Sequence, residues 1–235
     1  KNIMSKVFII ILNWNRKDET LDCLKSLEKL KIKNFDLNIL IVDNASTEEG
    51  TQEAFSKYNV LQNKKNLGFA EGNNEGIRFA LKQGADYIAL LNNDTYVDEN
   101  LVTELLAPFK DKKVGAISPL IYFAKGFEFH KKRYKKTDLG KVIWSAGGSI
   151  DWNNVFGQNE HVDEVDSGKL KQKEIQFATG ACVMFSKVAL KKTGLFDDKY
   201  FMYYEDVDLS VRLKKKGFKI IFNPNAKLWH KVAQS

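Results

Sequence analysis

Val7-Phe8-Ile9-Ile10-Ile11-Leu12-Asn13-Trp14-Asn15 sets six consecutive apolar side chains against an abrupt stop of two asparagines around a tryptophan. The same grammar recurs: Leu37–Val42 breaks into Asp43-Asn44-Ala45-Ser46, and Tyr87–Leu91 breaks into Asn92-Asn93-Asp94-Thr95. Val114–Ser118 is a fourth short apolar run. Runs of this length, near-continuously apolar and rich in β-branched residues, are what strands buried on both faces require, and such strands belong to a parallel sheet covered by helices. The intervals supply the helices. Leu21, Leu24, Leu27 and Leu30 fall at helical spacing behind Asp18 as a candidate cap, and Ser46 with Glu49 fits a capping box opening a second helix. Ile77, Phe79, Ala80 and Leu81 mark a third helix, and Leu101, Leu105 and Leu106 a fourth. Strands alternating with helices predict an α/β fold with a mostly parallel twisted sheet.

Working outward, residues 122–170 turn rich in Lys, Gly, Asn, Asp and aromatics, and read as loops and short antiparallel elements laid over the sheet edge. Ile175–Phe185 reads as a strand broken by Gly180, followed by helices over Lys187–Lys192 and from about Glu205 to Lys216. A last short strand, Lys219–Phe222, is expected to end before Pro224. The 235 residues suit one large domain or two small ones, and 43% hydrophobic with 29% charged residues excludes disordered, collagen-like and low-complexity classes. Two cysteines, Cys23 and Cys182, offer neither a disulfide framework nor a zinc knuckle, so a reducing, cytosolic setting is expected. No apolar run reaches the roughly 18–20 residues of a membrane span, and Val7–Leu12 is too short for a signal peptide. A start at Lys1 and a polar end at Ser235 suggest a chain trimmed at one or both ends.

In open parallel sheets ligands bind at the carboxyl ends of the strands. Three strands here deliver Asn and Asp to that rim, more than ordinary turn polarity supplies. Asn66–Gly76, reading NLGFAEGNNEG, is a Gly- and Asn-rich helix start that can turn backbone N–H groups toward a phosphate, although it is neither the dinucleotide nor the P-loop pattern. Asp94, at a strand end beside asparagine oxygens, is a hard-oxygen group suited to Mg²⁺ or Mn²⁺ held together with phosphates. In Phe201-Met202-Tyr203-Tyr204-Glu205-Asp206-Val207-Asp208, three acids follow an aromatic run at a helix start. For Asp208 the helix dipole is reason enough; burial behind the aromatics would raise Glu205 and Asp206 and suit them to general-base work. Trp144, followed by Gly147-Gly148, offers either a stacking face to a sugar or a core side chain. His230, behind Trp229, is a lone histidine that could be structural or a ligand.

Taken in order, Asn13-Trp14-Asn15, VDNAS at 42–46, NLGFAEGNNEG at 66–76, LLNNDT at 90–95, TGACVMF at 179–185, GLFDDKYFMYYEDVDLSVRL at 194–213 and Trp229-His230 resemble glycosyltransferase family 2, in its rhamnosyltransferase-like branch. The resemblance spans nearly the whole chain. It implies a GT-A (Rossmann-like) fold over a single domain, 1–235, with residues 1–120 as the nucleotide-sugar-binding half and 121–235 as the acceptor-binding and catalytic half, the latter carrying a smaller antiparallel region. It implies an inverting transferase that moves a sugar from a UDP- or dTDP-sugar to a hydroxyl of a glycan or lipid-linked acceptor. By the resemblance Asp43 would hydrogen-bond the pyrimidine base, with Asn13, Asn66, Gly68, Asn74 and Asn93 lining the nucleotide sugar. Asp94 would bind Mg²⁺ or Mn²⁺, with His230 joining it, and Asp206 would be the catalytic base with Glu205 beside it. Trp144, Gly180 and Tyr204 are read as acceptor-side residues. Two departures stand out: Asn92 takes the place of the first Asp of the family's DxD motif, and Asn73 stands where many relatives carry Arg.

The competing enzyme reading, a sugar-1-phosphate nucleotidyltransferase, would open with a Gly-rich loop and a basic residue where Asn13-Trp14-Asn15 stands. A nucleic-acid-binding module, suggested by a net charge of +7, would need a motif beside the lysine clusters at 131–136 and 214–216, and none accompanies them. No nucleic-acid partner is expected. The lysine-rich stretch at 125–136 is read instead as a contact with a lipid diphosphate or an anionic membrane, at the inner face.

Overall fold

The structure, a computed structural model, describes residues 4–232. Its large sheet is built around β1 (Ser5–Asn13), flanked in parallel by β2 (Phe35–Asp43) and β4 (Tyr87–Leu91), with β3 (Asn59–Gln62) parallel to β2 at the edge. Beyond β4 lie β11 (Cys182–Ser186), antiparallel to both neighbours, then β6 (Val114–Phe123) and β12 (Lys219–His230), parallel to each other. Three short antiparallel strands complete it: β5 (Thr95–Val97) and β10 (Lys173–Glu174) on β12, and β7 (Ile143–Ser145) on β6. A separate hairpin pairs β8 (Gly148–Asp151) with β9 (Phe156–Asn159). The α/β expectation and the smaller antiparallel region are both present.

Alternation along β1 divides the core. Val7, Ile9 and Ile11 join Leu24 and Leu27 of α1 (Lys17–Leu27) and Leu105 of α4 (Leu101–Leu106) on one face. Phe8 and Ile10 join Ile77 and Ala80 of α3 (Gly68–Lys82) and Leu209 and Leu213 of α6 (Glu205–Lys215) on the other. Helix α3 lies very close to the sheet, because a Cβ on Gly76 would come within 2.7 Å of Ile10 and 2.9 Å of Val42. That approach fixes where the helix start at Gly68 meets the strand ends.

Several local expectations are corrected. Asp18 does not cap α1, whose N-cap is Arg16 with no side-chain cap bond. The Ser46–Glu49 capping box does not form either: α2 (Thr51–Phe55) starts at Gly50, and the Ser46 hydroxyl donates to Asp43 instead. A nearby carboxylate is the stronger acceptor, so it takes the serine from the helix. Residues 175–181 precede β11 rather than forming one strand with it, and α5 (Lys187–Thr193) follows it. Finally, β12 does not stop before Pro224. It runs on to His230 across a register shift between Asn223 and Lys227, the kind of irregularity in which proline is tolerated.

Candidate functional site

The ends of β1, β2 and β3 place Asn13, Asp43 and Gln62 in one row, since Asn13 is paired in register with Asp43 and Asp43 with Gln62. A polarised chain of hydrogen bonds runs through it. Asn93 Nδ2 donates to the Thr20 hydroxyl (3.0 Å), Thr20 to Asn13 Oδ1 (2.8 Å), and Asn13 Nδ2 to Asp43 Oδ1 (2.8 Å). Gln62 Nε2 closes it from the other side onto Asp43 Oδ2 at 2.6 Å. Thr20 and Gln62 escape a reading of strand-end motifs, one lying inside a helix and the other on a short edge strand. Their signal is geometric, not sequential.

Asn44 organises the glycine-rich loop. Its Nδ2 donates to Asn66 Oδ1 (2.8 Å) and to the Gly68 carbonyl (3.1 Å), while its Oδ1 accepts from Leu67 N and Asn63 Nδ2. Gly68 itself sits at φ +75°, with the Phe201 carbonyl 2.4 Å from where a Cβ would stand, and Phe69 N donates to that carbonyl. Only glycine fits so close an approach at such a φ. Asn74 pins the next segment, donating Nδ2 to Phe196 O and accepting Phe196 N. Asn73, at the position where the resemblance has Arg, is buried and donates back to Phe69 O.

Asp94 and His230 come together because β12 continues past its proline: His230 pairs with Thr95, the residue after Asp94. Asp94 Oδ1 lies 2.9 Å from His230 Nε2, and both residues are buried. Yet the contact is not aligned as a hydrogen bond, so both Asp94 oxygens and both His230 ring nitrogens are left without a hydrogen-bond partner. Oδ1 and Nε2 face each other as a pair, so the outright orphans are Asp94 Oδ2 and His230 Nδ1, at a cost on the order of 1–3 kcal/mol each. A divalent cation would relieve that cost, and a carboxylate with an imidazole suits Mn²⁺ or Mg²⁺. The described residues hold no cluster of three or more His, Cys, Asp or Glu that could bind a metal, so the remaining ligands would have to come from substrate and water.

Trp144 links this pair to the carboxylates of α6. Its ring meets the His230 ring edge-on at 4.7 Å, and it lines a cleft of about 370 Å³ that also contains Glu205, Asp206, Phe177 and Tyr204. Asp206 Oδ2 accepts from Gly180 N (2.9 Å) and Oδ1 from Val207 N (2.8 Å), which orients the carboxylate while burial raises its pKa. Glu205 is 4% exposed, its Oε2 has no partner, and burial with the adjacent Asp206 pushes it up to about 7. The aromatic run expected to bury these acids does not: Phe201, Met202, Tyr203 and Tyr204 are all exposed. Tyr203 and Tyr204 nevertheless line the cleft beside the two acids, together with Phe177 and Trp144. Tyr203 and Tyr204 hold φ of 72° and 68° just ahead of α6, a left-handed strain of the kind found at functional sites.

Residues 8–194 match the family model described as Glycosyl transferase family 2. Among curated relatives, the chain is 26% identical over 215 residues to N-acetylglucosaminyl-diphospho-decaprenol L-rhamnosyltransferase of Mycobacterium tuberculosis (strain ATCC 25618 / H37Rv), covering 85% of this chain and 68% of that one. It is 22% identical over 222 residues to the low-salt glycan biosynthesis hexosyltransferase Agl10 of Haloferax volcanii, covering 94% and 65%. The chain thus spans about two thirds of these relatives' length. The crystal structure of GalNAc-T7 with UDP, GalNAc and Mn2+ superposes with a TM-score of 0.77 at 18% identity, covering 98% of this chain and 44% of that one.

Proposed function

The chain belongs to glycosyl transferase family 2, and from that membership we propose that it transfers a sugar, with inversion, from a UDP- or dTDP-sugar to a hydroxyl of a glycan or lipid-linked acceptor. The observation that carries this reading is the convergence, through Trp144, of an orphaned Asp94–His230 pair and an oriented, desolvated Asp206. The Mycobacterium tuberculosis relative, an N-acetylglucosaminyl-diphospho-decaprenol L-rhamnosyltransferase, supports the acceptor class. Family membership takes precedence over the nucleotidyltransferase and nucleic-acid readings.

In this account the row at Asn13 and Asp43 and the loop at Asn66 and Gly68 receive the nucleotide, with Asn93 and Asn74 holding the framework around it. Asp94 and His230 hold Mg²⁺ or Mn²⁺, which when bound stabilises charge on the departing diphosphate. Asp206 takes the proton of the acceptor hydroxyl as that oxygen bonds to the anomeric carbon; the bond from that carbon to the diphosphate oxygen breaks on the opposite face, and its electron pair leaves with the nucleotide. A carboxylate raised by burial is a stronger base than one in water, and the Gly180 and Val207 amides keep it aimed. Glu205 stands beside it, and Gly180 and Tyr204 with Trp144 bound the acceptor side. The basic segment 125–136 meets an anionic lipid surface on that side.

Metal binding is testable without turnover. Mn²⁺ should raise the melting temperature of the wild-type protein and UDP should raise it further, while Asp94→Ala should abolish the Mn²⁺ shift. A Mn²⁺ shift of equal size in Asp94→Ala would contradict the assignment.

A further inference from the structure

We infer that Thr20 is a positioning residue that holds the base end and the metal end of the donor site in one register, so that losing its hydroxyl weakens both; this rests on the donor-binding reading above. Thr20 lies within α1 and is fully buried. Its hydroxyl is the middle link between Asp43, at the end of β2, and Asn93, the neighbour of Asp94.

The direction of each bond follows from Asp43, whose carboxylate can only accept. Asn13 must therefore turn Nδ2 toward it (2.8 Å), and the same nitrogen also donates to the Ser46 hydroxyl (3.0 Å). Asn13 Oδ1 is left facing Thr20, which donates its single hydroxyl proton there (2.8 Å). With that proton committed, Thr20 Oγ1 can only accept, so Asn93 presents Nδ2 to it (3.0 Å). Asp43, Asn13, Thr20 and Asn93 are all buried, so a missing link would leave polar atoms unpaired in the interior.

The same face of α1 grips the rest of the metal loop. Cys23 Sγ lies 3.9 Å from Asn92 O and 3.7 Å from Thr95 Oγ1, and Ser26 Oγ accepts from Val97 N at 3.2 Å. Residues three apart share a helix face, so α1 holds the loop on both sides of Asp94. Among the described residues Thr20 alone of these three also bonds to Asn13, and so joins that loop to the base row.

Thr20→Val keeps the branched shape and removes the hydroxyl, whereas Thr20→Ser keeps the hydroxyl. Calorimetry with UMP in EDTA reads the base end, and electron paramagnetic resonance of Mn²⁺ without nucleotide reads the metal end. Thr20→Val should lose about tenfold in both affinities, and Thr20→Ser should stay within about threefold of wild type. Leu27→Ala, which opens a cavity under the same helix away from the hydrogen-bond chain, should lower the melting temperature and leave both affinities unchanged. Where Thr20→Val does not fold, Thr20→Ala takes its place with the same expectation. A hydroxyl-free variant that keeps both affinities, or loses only one, would overturn the inference while leaving donor binding intact. Equal losses in Leu27→Ala, or no recovery in Thr20→Ser, would reduce Thr20 to a structural role and overturn it as well. A wild-type protein that binds neither UMP nor Mn²⁺ would overturn both this inference and the donor-binding reading.

Discussion

Glu205 is raised by burial and by the adjacent Asp206. Its folded pKa of about 7 against an ordinary 4.5 means that the native protein keeps a proton which the unfolded chain has already released between those values. Stability from this group is therefore full below about pH 4.5 and falls as pH rises toward about 7. Glu205→Gln, which cannot ionise, should gain on wild type across that window and hold its advantage above it, by at most about 3 kcal/mol. Denaturant unfolding of both proteins at pH 4.5 and pH 8 measures the change, and a stability difference that is the same at both pH values would contradict it. At this scale the sequence exposes Asp94, Glu205 and Asp206, because acids at a strand end and a helix start are conspicuous in a chain. It conceals Gln62, Thr20 and Asn44, whose importance comes only from register and hydrogen bonding across strands. It does not reveal Phe177, which reaches the cleft of Glu205 and Asp206 from another segment.

At the scale of elements, the apolar runs locate β1, β2, β4 and β6, and helical periodicity locates α1, α3, α4 and α6. Edge elements are less legible: β3 and β5 are short and lack the apolar run by which a buried strand announces itself. The length of β12 is hidden by its proline, and with it the meeting of His230 and Asp94. The loop after β6 depends on that same strand, because Ala124 N donates to His230 O and the basic segment 125–136 follows at once. Its one acid, Glu128, is buried and turned inward onto Gly126 N and Gly140 N, whereas Lys125, Lys132, Lys135 and Lys136 are exposed around an exposed Phe129. An outward basic face with an aromatic at its centre suits an anionic lipid surface, worth about 1 kcal/mol per basic residue near it. Wild type should therefore co-sediment with phosphatidylglycerol vesicles in preference to phosphatidylcholine ones, and a variant with Lys132, Arg133, Lys135 and Lys136 changed to Gln should lose that preference. Equal recovery of wild type with both lipids would end this assignment.

For the whole molecule, the distribution of charge separates two tasks. The net charge of +7 does not gather at the strand-end rim, where Asp43, Asp94, Glu205 and Asp206 stand among amides. Much of it lies on segment 125–136, which carries six Lys and Arg against the single acid Glu128, a distribution that favours an anionic partner on that face. The two halves share one sheet, with β11 paired to β4 and β6 and β12 paired to β5 and β6, and Phe69 N donates to Phe201 O beside it. No described helix is long and apolar enough to cross a membrane. The central claim is that Asp206 removes the acceptor proton in a sugar transfer from a nucleotide donor, and it is tested most directly by comparing wild type with Asp206→Asn for donor affinity and for nucleoside diphosphate release from a panel of UDP- and dTDP-hexoses with Mn²⁺ and acceptor. The account predicts donor affinity within about threefold and release slowed by roughly 10²-fold or more; release at the wild-type rate in Asp206→Asn would contradict it.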